Sequence, residues 1–238
     1  MARESRLWTR TVEVDQERKI SLCLVEDPTI DVGGDDSWCS WCLWPAAKVL
    51  MSYLATIQDG DLKHTSVLEL GSGCGAVGMY AAKRGAAPVI LSDVYKALPL
   101  LKRNVQANSL SGGCGICALP WGTPAERLSS EVQERLPFDW VLAADCSYDF
   151  VKADIPSPSI EALLTTARSF GKRALICVSR RQGEVEAFTA SLARMGLADV
   201  ATVVFTAKLD EVKEGVAECL VYAFDFSNSQ RLGTKRRH

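Results

Sequence analysis

Val67-Leu68-Glu69-Leu70-Gly71-Ser72-Gly73-Cys74-Gly75 runs directly into Ala76-Val77-Gly78-Met79-Tyr80-Ala81-Ala82, and this junction decides the fold. A short apolar strand ends in alternate glycines, and a helical pattern starts on their far side. Glycines at such a corner let the backbone approach a ligand that a Cβ would repel. The helix that begins there adds N–H donors and the positive end of its dipole.

Outward from this junction the chain alternates strand with helix. Strands are expected at Ser66–Leu70, Pro88–Asp93, Gly115–Pro120, Phe138–Asp145 and Arg173–Ser179. Helices are expected at Ala76–Arg84, Lys96–Asn108, Pro124–Arg135, Ile160–Phe170 and Glu184–Met195, with an earlier one starting at Pro45. Short, nearly continuous apolar strands separated by helices specify a parallel sheet covered on both faces. Two closing strands, Val200–Leu209 and Glu214–Phe226, are joined by a short charged stretch and read as an antiparallel edge. Val12 and Val14, then Ile20, Leu22 and Leu24, alternate around a polar Asp15–Lys19 turn and predict an N-terminal β-hairpin. The expected class is α/β: a Rossmann-like, seven-strand, mostly parallel sheet with an antiparallel edge strand and a hairpin extension. Residues 1–37 form the hairpin and a loop, 38–226 the single main domain, and 227–238 a polar tail.

The glycine loop admits two registers. Gly73-x-Gly75-x-x-Gly78 matches a dinucleotide fingerprint, which alone is a weak signal. Glu69-x-Gly71-x-Gly73-x-Gly75 is the other, and it explains the acid inside the strand. A buried carboxylate needs a cationic or hydrogen-bonding partner, and the ammonium of a methionine moiety is one. A strand-end carboxylate reaching water is the bland alternative. Asp93 closes the next strand about 20 residues on, where an acid meets ribose hydroxyls. Both registers need it, and it also suits a helix N-cap.

Ala143-Ala144-Asp145-Cys146-Ser147-Tyr148 follows the fourth strand. With Trp44 and the Pro45–Leu50 helix start, Glu69–Gly75, Asp93 and Trp121-Gly122, it resembles the seven-strand protein methyltransferases called methyltransferase family 16. The similarity spans roughly Trp38 to Phe226. The resemblance implies S-adenosylmethionine as cofactor and a lysine side chain of a protein, such as a chaperone or translation factor, as acceptor. It implies that Trp44, Glu69, Gly71, Ser72, Gly73, Gly75, Asp93, Trp121 and Ala144 hold the cofactor, Trp121 bordering the adenine. It implies that Asp145 and Tyr148 meet the acceptor amine. Cys146-Ser147 departs from the family's more usual apolar pair, and the Asp27–Ser37 loop is peculiar to this chain. Without the resemblance, Trp121 reads as a plug at the sheet rim, Asp145 as the cap of a turn and Tyr148 as core.

Chemistry limits the site further. A free lysine has a pKa of about 10.4, so about one in a thousand is neutral at pH 7.4. Desolvation and a nearby sulfonium both favour the neutral amine, whereas Asp145 favours the ammonium and serves chiefly to position it. His64 and His238 are the only histidines, and both lie away from the expected site.

A net charge of −2 gives no global attraction to nucleic acid or to a membrane surface. No apolar run has the ~20 residues of a membrane span, and three early arginines lack a following apolar segment. The expectation is a monomer of the cytoplasm, or also of the nucleus, with reduced cysteines. Cys39/Cys42 and Cys114/Cys117 form two CxxC pairs, but they lie far apart and the second leads into a strand, so no metal site is expected. Methylation of a small molecule or nucleic acid, a non-catalytic adapter, and a nicotinamide oxidoreductase are the competing readings.

Overall fold

β3 (Val67–Leu70), β4 (Val89–Asp93) and β6 (Phe138–Ala144) are almost wholly buried, as strands covered on both faces must be. The computed structural model describes residues 7–27, 42–147, 157–181, 183–212 and 215–227. Residues 28–37 of the expected loop, Cys39, Tyr148 and the tail from 228 lie outside these. Seven strands form one sheet in the order β5-β4-β3-β6-β7-β9-β8, with β5 at Cys114–Ala118, β7 at Gly171–Ser179, β8 at Ala201–Val212 and β9 at Gly215–Asp225. Pairings from β5 through β7 are parallel. β9 runs antiparallel to β7 and carries β8 on its outer side, which forms the expected antiparallel edge.

Alternation along the strands divides the core into two layers. Val67, Leu91, Leu142, Leu175 and Cys177 face one side, where α1 (Pro45–Thr56), α3 (Ala76–Lys83) and α4 (Leu98–Ala107) pack. Leu68, Ile90, Val141, Ala143, Ile176 and Val178 face the other, with α6 (Pro158–Phe170) and α7 (Glu184–Arg194). The short α2 (Asp59–Leu62) and α5 (Ser130–Gln133) complete the helices that the described residues form. None of these helices is long and apolar enough to cross a membrane.

Two expected helices start later or break. The one over Lys96–Asn108 opens as a 3-10 turn, Tyr95–Ala97, and becomes α4 at Leu98, which puts Pro99 in the first turn where its missing N–H costs nothing. The one over Pro124–Arg135 divides into a 3-10 turn, Ala125–Arg127, and α5, with Leu128 and Ser129 extended between them. Only Val132 is buried along this stretch, too little apolar surface to hold a longer helix.

The hairpin, β1 (Trp8–Asp15) and β2 (Ile20–Glu26), is a separate two-stranded sheet. Two asparagines of α4 stand in for a neighbouring strand. Asn104 accepts from Val25 N at 2.6 Å and donates to Val25 O at 3.0 Å, while Asn108 does the same for Cys23 at 3.0 and 2.7 Å. Asn104 also donates to Cys74 O at 3.0 Å, tying hairpin and glycine loop to one side chain. On the far side Asp15 accepts from Tyr80 and Arg18, and the buried Arg84 pairs with Asp59.

Asn104→Ala therefore removes the partner of three backbone groups, Val25 N, Val25 O and the buried Cys74 O. Urea unfolding is expected to register a loss of about 1–3 kcal/mol, with amide exchange accelerated first at Val25. Unchanged protection of that amide would contradict this account of how the hairpin is held.

Candidate functional site

β3 and β4 end side by side, Leu70 opposite Ser92, and the turn beyond is stitched rather than merely folded. Ser72 N donates to Ser92 O at 2.9 Å, and Ser92 N donates back to Ser72 Oγ at 3.0 Å. Ser92 Oγ donates to Glu69 O at 2.6 Å. Gly73 N donates to Asp93 Oδ2 at 2.7 Å, while Asp93 Oδ1 accepts from Val94 N at 2.7 Å. Gly71 and Gly73 take φ values of 61° and 53°, the left-handed region that a Cβ disfavours. At Gly71 a Cβ would also sit 2.7 Å from Cys146 Sγ and 3.2 Å from the Trp121 ring.

Gly75, left-handed at the start of α3, meets the protein's own interior, since its Cβ would fall 2.5 Å from Leu101. Its smallness serves the packing of α3 on α4 and the sheet. Glu69 is likewise turned inward, 3% exposed, with Oε2 accepting from Gly78 N at 3.0 Å. Burial, with a smaller contribution from the Asp93 charge, pushes its carboxyl up to about 8. It braces the first turn of α3 beneath the loop and does not reach water.

Across the other edge of β3, Leu70 pairs with Ala143, so Ala144 and Asp145 leave the sheet beside Gly71. Asp145 has φ 60°, a conformation that the short polar side chain of Asp tolerates. Its carboxylate is 9% exposed and already held. Oδ1 accepts from Ser179 Oγ at 2.9 Å, and Oδ2 from Arg181 Nη2 at 2.7 Å. Arg181 also reaches Glu184 Oε2 at 3.5 Å, and Ser147 Oγ donates to Glu184 Oε1 at 2.5 Å. The loop after β6 is thereby fixed to the start of α7.

The structure thus gathers Gly71, Ser72, Gly73, Asp93, Trp121, Ala144 and Asp145 at the carboxyl ends of adjacent strands. Glu69 and Gly75 lie immediately beneath, as supports. Trp44 caps the N-terminus of α1, fastened next to Leu43 N, which donates to Glu26 at 2.9 Å. Asn104 joins Cys74 O to Val25, the neighbour of Glu26, so this segment passes the glycine loop. His64 lies at the opposite end, donating its backbone N–H to Gly85 O. Cys114 and Cys117 belong to different core layers, and among the described residues no three His, Cys, Asp or Glu side chains gather around a common point.

Sequence reasoning missed Ser92, Ser179, Arg181 and Glu184. The only available signal was position: Ser92 just before Asp93, and Ser179-Arg180-Arg181 at the end of a parallel strand. Cys146 and Ser147, which depart from the family's apolar pair, are both buried, one under Gly71 and one against Glu184.

Comparison with known proteins identifies the family. The family described as Lysine methyltransferase matches residues 28–195. The chain is 36% identical over 107 residues to the EEF1A lysine methyltransferase 3 of Xenopus tropicalis, covering 44% of each chain. It is 30% identical over 161 residues to the calmodulin-lysine N-methyltransferase of Arabidopsis thaliana, covering 66% of this chain and 50% of that one. The chain therefore spans about half the length of these curated relatives. A T. thermophilus 16S rRNA N2 G1207 methyltransferase, solved with AdoMet and guanosine, shares the fold at TM-score 0.57 and 14% identity, over 92% of this chain and 50% of that one.

Glu69 yields a signed pH prediction. Its folded pKa, about 8, lies above its ordinary value of 4.5, so the folded state binds more protons between the two. Its contribution to stability is complete below about 4.5 and declines as pH rises toward 8. Glu69→Gln, which mimics the protonated acid, is expected to lose that decline. Parallel stability–pH profiles for the two proteins, from urea titrations, would refute the assignment.

Proposed function

The chain belongs to the lysine methyltransferase family, and from that premise we propose that it methylates a lysine side chain of a protein substrate, with S-adenosylmethionine as methyl donor. The observation that carries this reading is the register of the central strands. Leu70 pairs with Ser92 on one side and Ala143 on the other, which sets the Gly71–Gly73 turn between Asp93 and Asp145.

The residues fit such a cofactor chemically. Asp93 closes β4 beside the turn, with backbone donors on both of its carboxylate oxygens, and an acid at that position suits the hydroxyls of a ribose. Gly71 and Gly73 add no side chain where the amino-acid end of the cofactor would lie. When bound, the cofactor supplies a sulfonium methyl group open to in-line displacement.

The protein's task is then to present an amine. Asp145 keeps two lone-pair sites beyond those used by Ser179 and Arg181, enough to accept from an N–H of the acceptor. Ala144 is small and leaves room beside it. Burial of the amine at the strand ends penalises its charged form and favours loss of a proton to water. Tyr148, outside the described residues, completes the acceptor site in this reading through its ring or hydroxyl. The relatives' names support a protein as substrate, and the near-neutral charge argues against nucleic acid; a monomer of cytoplasm or nucleus is part of this proposal.

Asp93→Ala is expected to weaken S-adenosylmethionine binding by about tenfold or more in isothermal titration. Asp145→Ala should keep that affinity yet lower methyl transfer about a hundredfold, read as tritium incorporated into protein of a cell extract. Equal cofactor affinity in the first variant, or equal turnover in the second, would count against the role given to that residue.

A further inference from the structure

Asp145 presents a difficulty for the proposed reaction. A bare carboxylate beside the acceptor would stabilise the ammonium, the one form of lysine that has no lone pair to give. The neighbourhood supplies a remedy. Arg181 contacts Asp145 Oδ2 at 2.7 Å and lies 3.5 Å from Glu184 Oε2, bridging two carboxylates that are almost fully buried. Its own side chain is 40% exposed, so it approaches from the solvent side of the pair.

Resting on the methyl-transfer reading above, we propose that Arg181 is a tuning residue for the acceptor amine: it cancels the field of Asp145, so that the carboxylate positions the amine by hydrogen bonding without holding it as an ammonium. At about 4 Å and intermediate polarity, one unit charge acts on another by some kilocalories per mole, enough to move an amine's proton affinity appreciably.

Other charges surround Arg181. Glu184 comes from α7, and its Oε1 is bonded by Ser147. Glu218 of β9 is paired with Arg180 at 2.6 Å, and the Cys219 thiol lies alongside. Asp93 and Glu69 accept from backbone donors of the glycine loop and of α3. Among the described residues, Arg181 is the cation in contact with Asp145. A lysine in its place keeps the charge; a glutamine keeps much of the shape without it.

This assignment predicts a sign opposite to that of a merely structural arginine. The probe is butyltrimethylammonium, a permanent cation of lysine side-chain length, titrated calorimetrically into protein saturated with S-adenosylhomocysteine. Arg181→Gln should bind it about fivefold more tightly than the wild type, and Arg181→Lys within about twofold of the wild type. Equal or weaker binding by Arg181→Gln would overturn the proposal. Should that variant lose its cooperative melt, Arg181→Met repeats the comparison. Asp145→Asn separates the two claims: it should abolish the binding, and if it leaves it intact, the amine site itself is wrong. Binding lost in Asp145→Asn but unchanged in Arg181→Gln defeats only the role of Arg181.

Discussion

The structure depends on the clasp that joins the ends of β3 and β4. Parallel strands end with unpaired backbone groups, and here those groups are satisfied by one another's neighbours. Ser72 and Ser92 exchange backbone and hydroxyl bonds, and Asp93 takes the amide of Gly73. The clasp demands left-handed backbone at Gly71 and Gly73, which glycine reaches without strain. It also presents the turn as bare backbone between two acids. Replace Gly71 and the turn collides with Cys146 and Trp121; remove Asp93 and the turn loses its anchor.

Charge burial around this clasp is arranged in two ways. Glu69, beneath the loop, is accommodated by holding its proton and by the amide of Gly78. Asp145, at the rim, is accommodated by Ser179 and the guanidinium of Arg181. One acid is structural and holds its proton up to about pH 8, whereas the other faces the substrate side in the proposed reaction. Two carboxylates at the ends of adjacent strands thus acquire different tasks from their surroundings, not from their residue type.

Strand positions were legible because a sheet covered on both faces needs continuous apolar runs, and Val67–Leu70 or Val89–Asp93 have few other uses. The glycine loop was legible because its spacing is a backbone requirement. Helix length was less so: periodicity over Pro124–Arg135 could not reveal that only Val132 finds a core to enter. Long-range partners were not legible at all. Nothing local marks Asn104 as the residue that serves both Val25 and Cys74, nor Arg181 as the partner of Asp145 across two strands. Hydrophobic pattern assigns faces; it does not assign pairs. The inward role of Glu69 follows the same rule, since its partner Gly78 was read as a candidate fingerprint position and not as a donor.

A crystal structure of the protein with S-adenosylhomocysteine tests the central claim most directly. The account predicts the ribose hydroxyls on Asp93, the amino-acid end along Gly71–Gly73, and the sulfur aimed toward Asp145. A nucleoside bound elsewhere, or a sulfur turned away from Asp145 with no path to it, would contradict it.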